Sequence, residues 1–287
     1  MKPAPFDLVV AESWDEALDA VSEMGEDAQV LAGGQSLVAM LNMRLAKPSV
    51  LVDIGRIPGA DIIEIDRGTV RIGAQVRQRS LERHSDTPTN LPLLAEALPH
   101  VGHVQTRSRG TVCGSLCHAD PSAELPLCLV ALEGDVELVS NRGKRTLSAE
   151  KFFTGLLSTA RSPDEIVRAA RYPMAKKEHG YAFSEISERH GDYALVNCAA
   201  IAGSNFIRLA VGAVADRPIA RTWQTTDLLD IEAELNDFAW DLNATDNHHA
   251  SARYQRDAVR TLGVSTIKKS IARFIEKQRG QCQSKPA

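Results

Sequence analysis

The chain has 287 residues, of which 44% are hydrophobic and 24% charged, a composition that supports a substantial globular core and argues against a disordered or fibrous chain. Its net charge of -4, with no basic stripe carrying interleaved aromatics, argues against a nucleic-acid-binding surface. The five cysteines (Cys113, Cys117, Cys128, Cys198 and Cys282) are odd in number and form no C-x-x-C pair, which argues against a disulfide framework, a zinc ribbon and a plant-type iron–sulfur site.

Residues Met1 to Ser13 contain no apolar signal-peptide core, and no later stretch has the length of a membrane span, so the expected compartment is the cytoplasm. Ser13 to Met24 reads as a helix, with Ser13 as N-cap, Glu16 at capping-box spacing, and Trp14, Ala17, Leu18 and Val21 on one face. The apolar segment Gln29 to Ala32 then leads into Gly33-Gly34. Ser36 to Ala46 carries Leu37, Met40, Leu41 and Leu45 at helical spacing, with Ser36 as its cap, and Pro48 follows its end. Val50 to Ile54 is again strand-like. This order predicts a small α/β unit with a helix start at the glycine turn.

Ile62 to Ile65 and Thr69 to Ala74 flank Asp66-Arg67-Gly68 as a hairpin, Leu91 to Val104 reads as one helix, and Glu124 to Leu132 reads as a buried helix. Val136 to Val139 and Arg145 to Leu147 form a second hairpin around Asn141-Arg142-Gly143. From about Met174 three antiparallel strands are predicted, Tyr181 to Ser187, Ala194 to Gly203 and Ile207 to Val214. Amphipathic helices follow, one of them over the acidic stretch Asp227 to Asp241, and the polar end Lys277 to Ala287 is expected to fray.

Two runs of small residues carry the chemistry: Ala32-Gly33-Gly34-Gln35-Ser36 and Thr111-Val112-Cys113-Gly114-Ser115. Each sets glycine and a hydroxyl where backbone amides can turn toward an anion, which together suits a dinucleotide diphosphate. A lone glycine pair fits a strand-to-helix turn with no ligand better than a ligand site, and neither run matches the usual NAD or P-loop pattern; it is the second run that changes the balance. Tyr193 also reads as a tyrosine at a core edge, Asp120 as a turn residue and His118 as a loop histidine without a third metal ligand. Cys113 and Cys117 read as small buried thiols before a redox pair.

Five motifs, in order, resemble one family. They are Leu31-Ala32-Gly33-Gly34-Gln35-Ser36-Leu37, Leu51-Val52-Asp53-Ile54, Arg109-Gly110-Thr111-Val112, His118-Ala119-Asp120-Pro121 with Glu124-Leu125-Pro126, and Arg189-His190-Gly191-Asp192-Tyr193. Over nearly its whole length the chain resembles the FAD-binding medium subunits of the molybdenum hydroxylases, the group of the carbon monoxide, nicotine and quinoline dehydrogenases and of the xanthine dehydrogenase flavin domain. The resemblance implies an α+β fold of the p-cresol methylhydroxylase type (vanillyl-alcohol-oxidase-like). Its two α/β FAD-binding subdomains would span 1–57 and 58–174, and a C-terminal domain with a three-stranded antiparallel sheet and helices would span 175–287. It implies FAD on this chain, the diphosphate being held by Ala32, Gly33, Gly34, Gln35, Ser36 and Leu37 and by Thr111, Val112, Cys113, Gly114 and Ser115. Asp120 would stand near the ribityl chain and Tyr193 against the isoalloxazine.

The family pattern T-[IV]-G-G-[NS] has glycine where this chain has Cys113, so a left-handed backbone there would cost about 1–2 kcal/mol. No catalytic nucleophile, base or metal is expected on this chain. The implied partners are a large molybdopterin-binding subunit, which hydroxylates the substrate, and a small subunit with two [2Fe-2S] clusters, in a dimer of heterotrimers. Gln35 is similar to relatives acting on N-heteroaromatic compounds such as nicotine. A stand-alone flavin oxidase and a nucleotide-binding module without flavin are the rival readings.

Overall fold

The computed structural model describes residues 2–224 and 231–283, with side chains to Arg279. The chain opens with strand β1 (Asp7–Val10), helix α1 (Trp14–Met24), strand β2 (Ala28–Leu31), helix α2 (Leu37–Asn42) and strand β3 (Val50–Asp53). The three strands form a parallel sheet in the order β1-β3-β2. The Ser13 hydroxyl caps α1 by accepting from the Glu16 N–H, and Ala17, Leu18 and Val21 are buried, as the spacing predicts. Helix α2 is shorter than expected. Ser36 has helical backbone angles and its side chain makes no capping bond, and only Leu41 of the predicted apolar face is buried. The helix ends early because Arg44 turns left-handed, with φ 59°.

The second layer comprises β4 (Ile63–Asp66), β5 (Thr69–Gly73), α3 (Gln78–Arg83), α4 (Thr87–Asn90), α5 (Pro92–Ala97), α6 (Val104–Arg109), α7 (Val112–His118) and α8 (Glu124–Ala131). It continues through β6 (Asp135–Ser140), β7 (Gly143–Ser148), α9 (Ala149–Phe152), β8 (Phe153–Gly155), β9 (Ser158–Thr159) and β10 (Ile166–Pro173). Both predicted hairpins form, and β10 joins them into a five-stranded antiparallel sheet, β4-β5-β10-β6-β7. The single helix expected over Leu91 to Val104 is instead α5, a 3₁₀ turn at Leu98–His100 and a break at Gly102 before α6. Pro99 explains the interruption, since it offers no N–H to continue the helical ladder.

The C-terminal part holds β11 (Gly180–Ser187), β12 (Ala194–Ala202), β13 (Phe206–Gly212), β14 (Ile219–Gln224), α10 (Ile231–Asp241) and α11 (Ala252–Gln283). Its sheet is a four-stranded meander, not three-stranded: β14, which pairs with β13, escaped the sequence reading because it alternates weakly and carries Arg221, Thr222 and Gln224. One face packs on α10 and α11, and the other on α5 and α8. Sandwiched in this way, β12 is buried on both faces, and every residue of α8 is buried. The acidic helix begins at Ile231, and the part of that reading over 225–230 lies outside the described residues, as do 284–287. Lys277 to Gln283 continue α11 where fraying was expected; Cys282 lies in this helix, but its side chain is not described. No helix among the described residues is long and apolar enough to cross a membrane.

Candidate functional site

The turn after β2 is built on Gly33 and Gly34. Gly34 has φ +73°, a conformation that costs a residue with a Cβ, and the first intrahelical bond beyond it runs from the Val38 N–H to the Gly34 carbonyl. The N–H groups of Gln35, Ser36 and Leu37 therefore sit in the opening turn, ahead of that ladder. The second run is a helix start rather than a loop. Thr111 is the N-cap of α7, its hydroxyl accepting from the Gly114 N–H at 3.0 Å, and Val112 to Ser115 lie in the first helical turns. Cys113 accordingly has helical geometry, and the left-handed penalty does not arise. It is buried, its thiol points to the Ile72 carbonyl at 3.5 Å, and burial pushes that thiol well above its usual range.

Two strings of bonds set the second helix start. The Val112 N–H donates to the Val76 carbonyl at 3.1 Å and the Gln78 N–H to the Gly110 carbonyl at 2.9 Å, so the α6–α7 junction is tied to the segment after β5. The two runs then meet. A Cβ built on Gly33 would lie 2.4 Å from the Arg109 carbonyl oxygen and 3.0 Å from the Thr111 nitrogen. Ala32, Gly33, Gly34, Gln35, Ser36, Leu37, Thr111, Cys113 and Gly114 all line one cleft of about 450 Å³. Val112 and Ser115 are not on its wall. Cys117, one helical turn after Cys113, also lines it, and both are free thiols; Cys113 is buried as expected, but Cys117 is exposed, because it faces the cleft and not the core.

Sequence reasoning missed the far wall. Leu157, Ser158, Thr159 and Arg161, around the short β8–β9 hairpin, close the cleft, and Ile166 and Val167 of β10 floor it. No motif marks these residues, and the segment from 153 to 173 had yielded no predicted element. At its end α7 turns through Ala119, at φ 52°, and the Leu157 N–H donates to the Ala119 carbonyl at 3.2 Å.

Past that turn lies a second cleft of about 480 Å³, which contains Asp120 and Tyr193. Asp120 closes an Asx turn, its carboxylate accepting from the Ser122 N–H at 2.8 Å, as its turn reading anticipates. Tyr193 stands just before β12 and is 62% exposed, so it is not a core-edge tyrosine. Desolvation, followed by the carboxylates of Asp120 and Glu124, raises its hydroxyl above the ordinary value. The His100 Nδ1 pairs with the buried Glu185 carboxylate at 3.0 Å, and that bond raises His100. Glu124, at the start of α8, is pushed up to about 8 by burial, with Glu185 and Asp120 adding to the effect. Among the described residues no group of three or more His, Cys, Asp or Glu is placed to hold a metal ion.

This geometry suits a long anionic ligand with a planar end. Two helix starts, unrelated in sequence position, face one cleft of ligand-binding size, and an exposed aromatic side chain stands at the next. The residues present therefore fit a flavin dinucleotide. Residues 4–175 match the model of the FAD binding domain in molybdopterin dehydrogenase. The chain belongs to the family of FAD-binding medium subunits of the molybdenum hydroxylases. It is 36% identical to the 6-hydroxypseudooxynicotine dehydrogenase complex subunit alpha of Paenarthrobacter nicotinovorans, over 95% of this chain and 97% of that protein. It is 35% identical to the nicotine 6-hydroxylase medium subunit of the same organism, over 91% and 95% of the two chains. In structure it is similar to the carbon monoxide dehydrogenase of Hydrogenophaga pseudoflava that lacks the Mo-pyranopterin moiety, with a TM-score of 0.86, 27% identity, and 96% and 99% of the chains covered.

Proposed function

We propose that the chain holds FAD with its diphosphate between the two helix starts, bound by Ala32, Gly33, Gly34, Gln35, Ser36 and Leu37 on one side and by Thr111, Val112, Cys113, Gly114 and Ser115 on the other. The isoalloxazine lies toward Asp120 and Tyr193. One observation carries this reading: the two runs line the same cleft. Val112 and Ser115 serve it through the helix they build, since neither side chain is on the cleft wall.

The chain is the FAD-binding electron-transfer subunit of a molybdenum hydroxylase complex. Bound FAD supplies the capacity to collect electrons singly and release them in pairs. The chain's residues bind and orient it: N–H groups of the two helix starts meet the diphosphate, the β8–β9 hairpin and β10 exclude water from one side, and Tyr193 offers a flat apolar surface. Electrons come from the [2Fe-2S] clusters of a small subunit and leave to an external acceptor. The large molybdopterin-binding subunit hydroxylates the substrate. A dimer of heterotrimers in the cytoplasm, three structural units at 1–57, 58–174 and 175–287, and an N-heteroaromatic substrate complete the reading. The names of the two Paenarthrobacter relatives and Gln35 support that substrate class. The experiment is co-purification with the neighbouring large and small subunits, followed by anaerobic mixing with a candidate N-heteroaromatic. Flavin bleaching in the complex and none in the isolated chain is expected; a flavin-free complex would end the reading.

A further inference from the structure

The Gly33–Gly34 turn has a second side. Ala32 to Gln35 also line a hollow of about 640 Å³ that adjoins another of about 340 Å³, the two sharing Gly55, Arg56 and Arg77. Three cations stand there: Arg56, Arg77 and Arg109. Among the described residues no ion pair holds any of them, although Arg71, Arg107, Arg145 and Arg171 elsewhere in the fold each have a carboxylate within 3.2 Å. Arg77 and Arg109 are held together by a hydrogen bond from the Arg77 guanidinium to the Arg109 carbonyl. Burial and then repulsion from Arg109 make the charge on Arg77 less favourable than usual, and Asp53 and Asp61, one on the wall of each hollow, only partly offset this. Asp53 is already engaged, its carboxylate accepting from the Gly55 N–H at 2.8 Å.

An independent observation lies in the adjoining hollow. Gln75 is 5% exposed and lines that hollow, and both its amide oxygen and its amide nitrogen lack a hydrogen-bond partner among the described residues. Buried amides are nearly always satisfied, because an unmet donor or acceptor forfeits its hydration. Two like charges with no salt bridge among the described residues, next to an unsatisfied buried amide, describe a place arranged for a polar anionic guest.

We propose that this groove is a second anion site, taking a phosphate group, free or carried by a nucleotide, between the guanidinium groups of Arg77 and Arg109 across the Gly33–Gly34 turn from the flavin cleft. Guanidinium groups suit phosphate oxygens because their planar N–H forks make charge-assisted, two-point bonds. A phosphate there adds a negative charge directly between the two guanidinium groups, and the combined hollow has room for a nucleoside beside it. That this site is separate from the flavin rests on the FAD reading of the first cleft.

The test uses the FAD-loaded complex, freed of phosphate and titrated calorimetrically with inorganic phosphate and with ADP at constant ionic strength. Saturable binding is expected, weakened at least about tenfold in Arg77→Gln and in Arg109→Gln and by a smaller factor in Arg77→Lys, which keeps the charge but not the two-point fork, with flavin content unchanged throughout. Arg109 has an exposed side chain, so its variant keeps the test open if Arg77→Gln folds poorly. ADP binding tenfold or more above inorganic phosphate identifies a nucleotide as the guest; equal affinity identifies free phosphate. No saturation by either ligand overturns the proposal. So does loss of FAD in step with loss of phosphate, because the arginines then belong to the flavin's own diphosphate site, and the flavin reading survives. A wild-type complex without flavin defeats that reading instead, whatever the phosphate titration shows.

Discussion

The α-carbon of Gly33 rests against the backbone of Arg109, so closely that a Cβ on residue 33 would stand 2.4 Å from the Arg109 carbonyl oxygen and 2.8 Å from the Gly110 α-carbon. Backbone cannot move aside as a flexible side chain can. Gly33→Ala therefore pushes the two helix starts apart, with an expected cost of about 1–3 kcal/mol in stability. Flavin retention falls with it, because the diphosphate site depends on that spacing. A variant with an unchanged denaturant midpoint and a full flavin complement would contradict the contact.

Cys113 makes a contrasting case. Its helical backbone and its buried place beside Ile72 assign it the work of a small apolar side chain. Cys113→Ala is expected to change stability by less than about 1.5 kcal/mol and to leave flavin affinity alone. Cys113→Gly restores the family pattern, yet it is expected to be the worse of the two, since glycine in a helix costs about 1 kcal/mol relative to alanine. Thermal unfolding of the two variants ranks them; greater stability of the glycine variant would refute the helical assignment.

Tyr193 is exposed and so contributes little to the fold. Tyr193→Leu is expected to shift stability by no more than about 0.5 kcal/mol. In the loaded protein, loss of an aromatic contact of about 0.5–1.5 kcal/mol weakens FAD binding several-fold and raises flavin fluorescence. Unaltered fluorescence in this variant would place the isoalloxazine elsewhere.

The parts of the molecule that could be read from sequence are those whose signal is local. The N-cap at Ser13, the two hairpins, and the glycine turn all carry their cause within a few residues; the Glu16 carboxylate, expected to return to the Ser13 N–H, accepts from the Glu12 N–H instead. Strand β10 does not: it gains its identity from lying between β5 and β6, partners distant in the chain. The same holds for β14 and for the cleft wall around Leu157, where tertiary packing, not periodicity, decides the structure. Leu91 to Val104 failed for a different reason: apolar spacing continues across Pro99 while the backbone ladder does not. The resemblance singled out the two runs proposed to hold FAD, but the form of the second, a capped helix start, emerged only from the backbone geometry.

Glu124 provides a test that needs no flavin. It begins a wholly buried helix, and burial lifts its carboxyl from 4.5 to about 8. The folded state thus binds one more proton than the unfolded chain between those values, so this residue makes stability fall as pH rises from about 4.5 to about 8. Glu124→Gln keeps the shape and removes the titration. Wild type and variant are expected to unfold at similar denaturant midpoints near pH 4, below the unfolded value of 4.5, and to diverge progressively above it. By pH 8.5 the variant should be the more stable, by at most about 5 kcal/mol at about 1.4 kcal/mol per pKa unit. The raised His100 titrates in both proteins with the same sign, stabilising below about 6.5 and losing that contribution as pH climbs through its folded value. The comparison therefore rests on the difference between the two pH curves, and parallel curves would show that Glu124 is ionised in the fold at neutral pH.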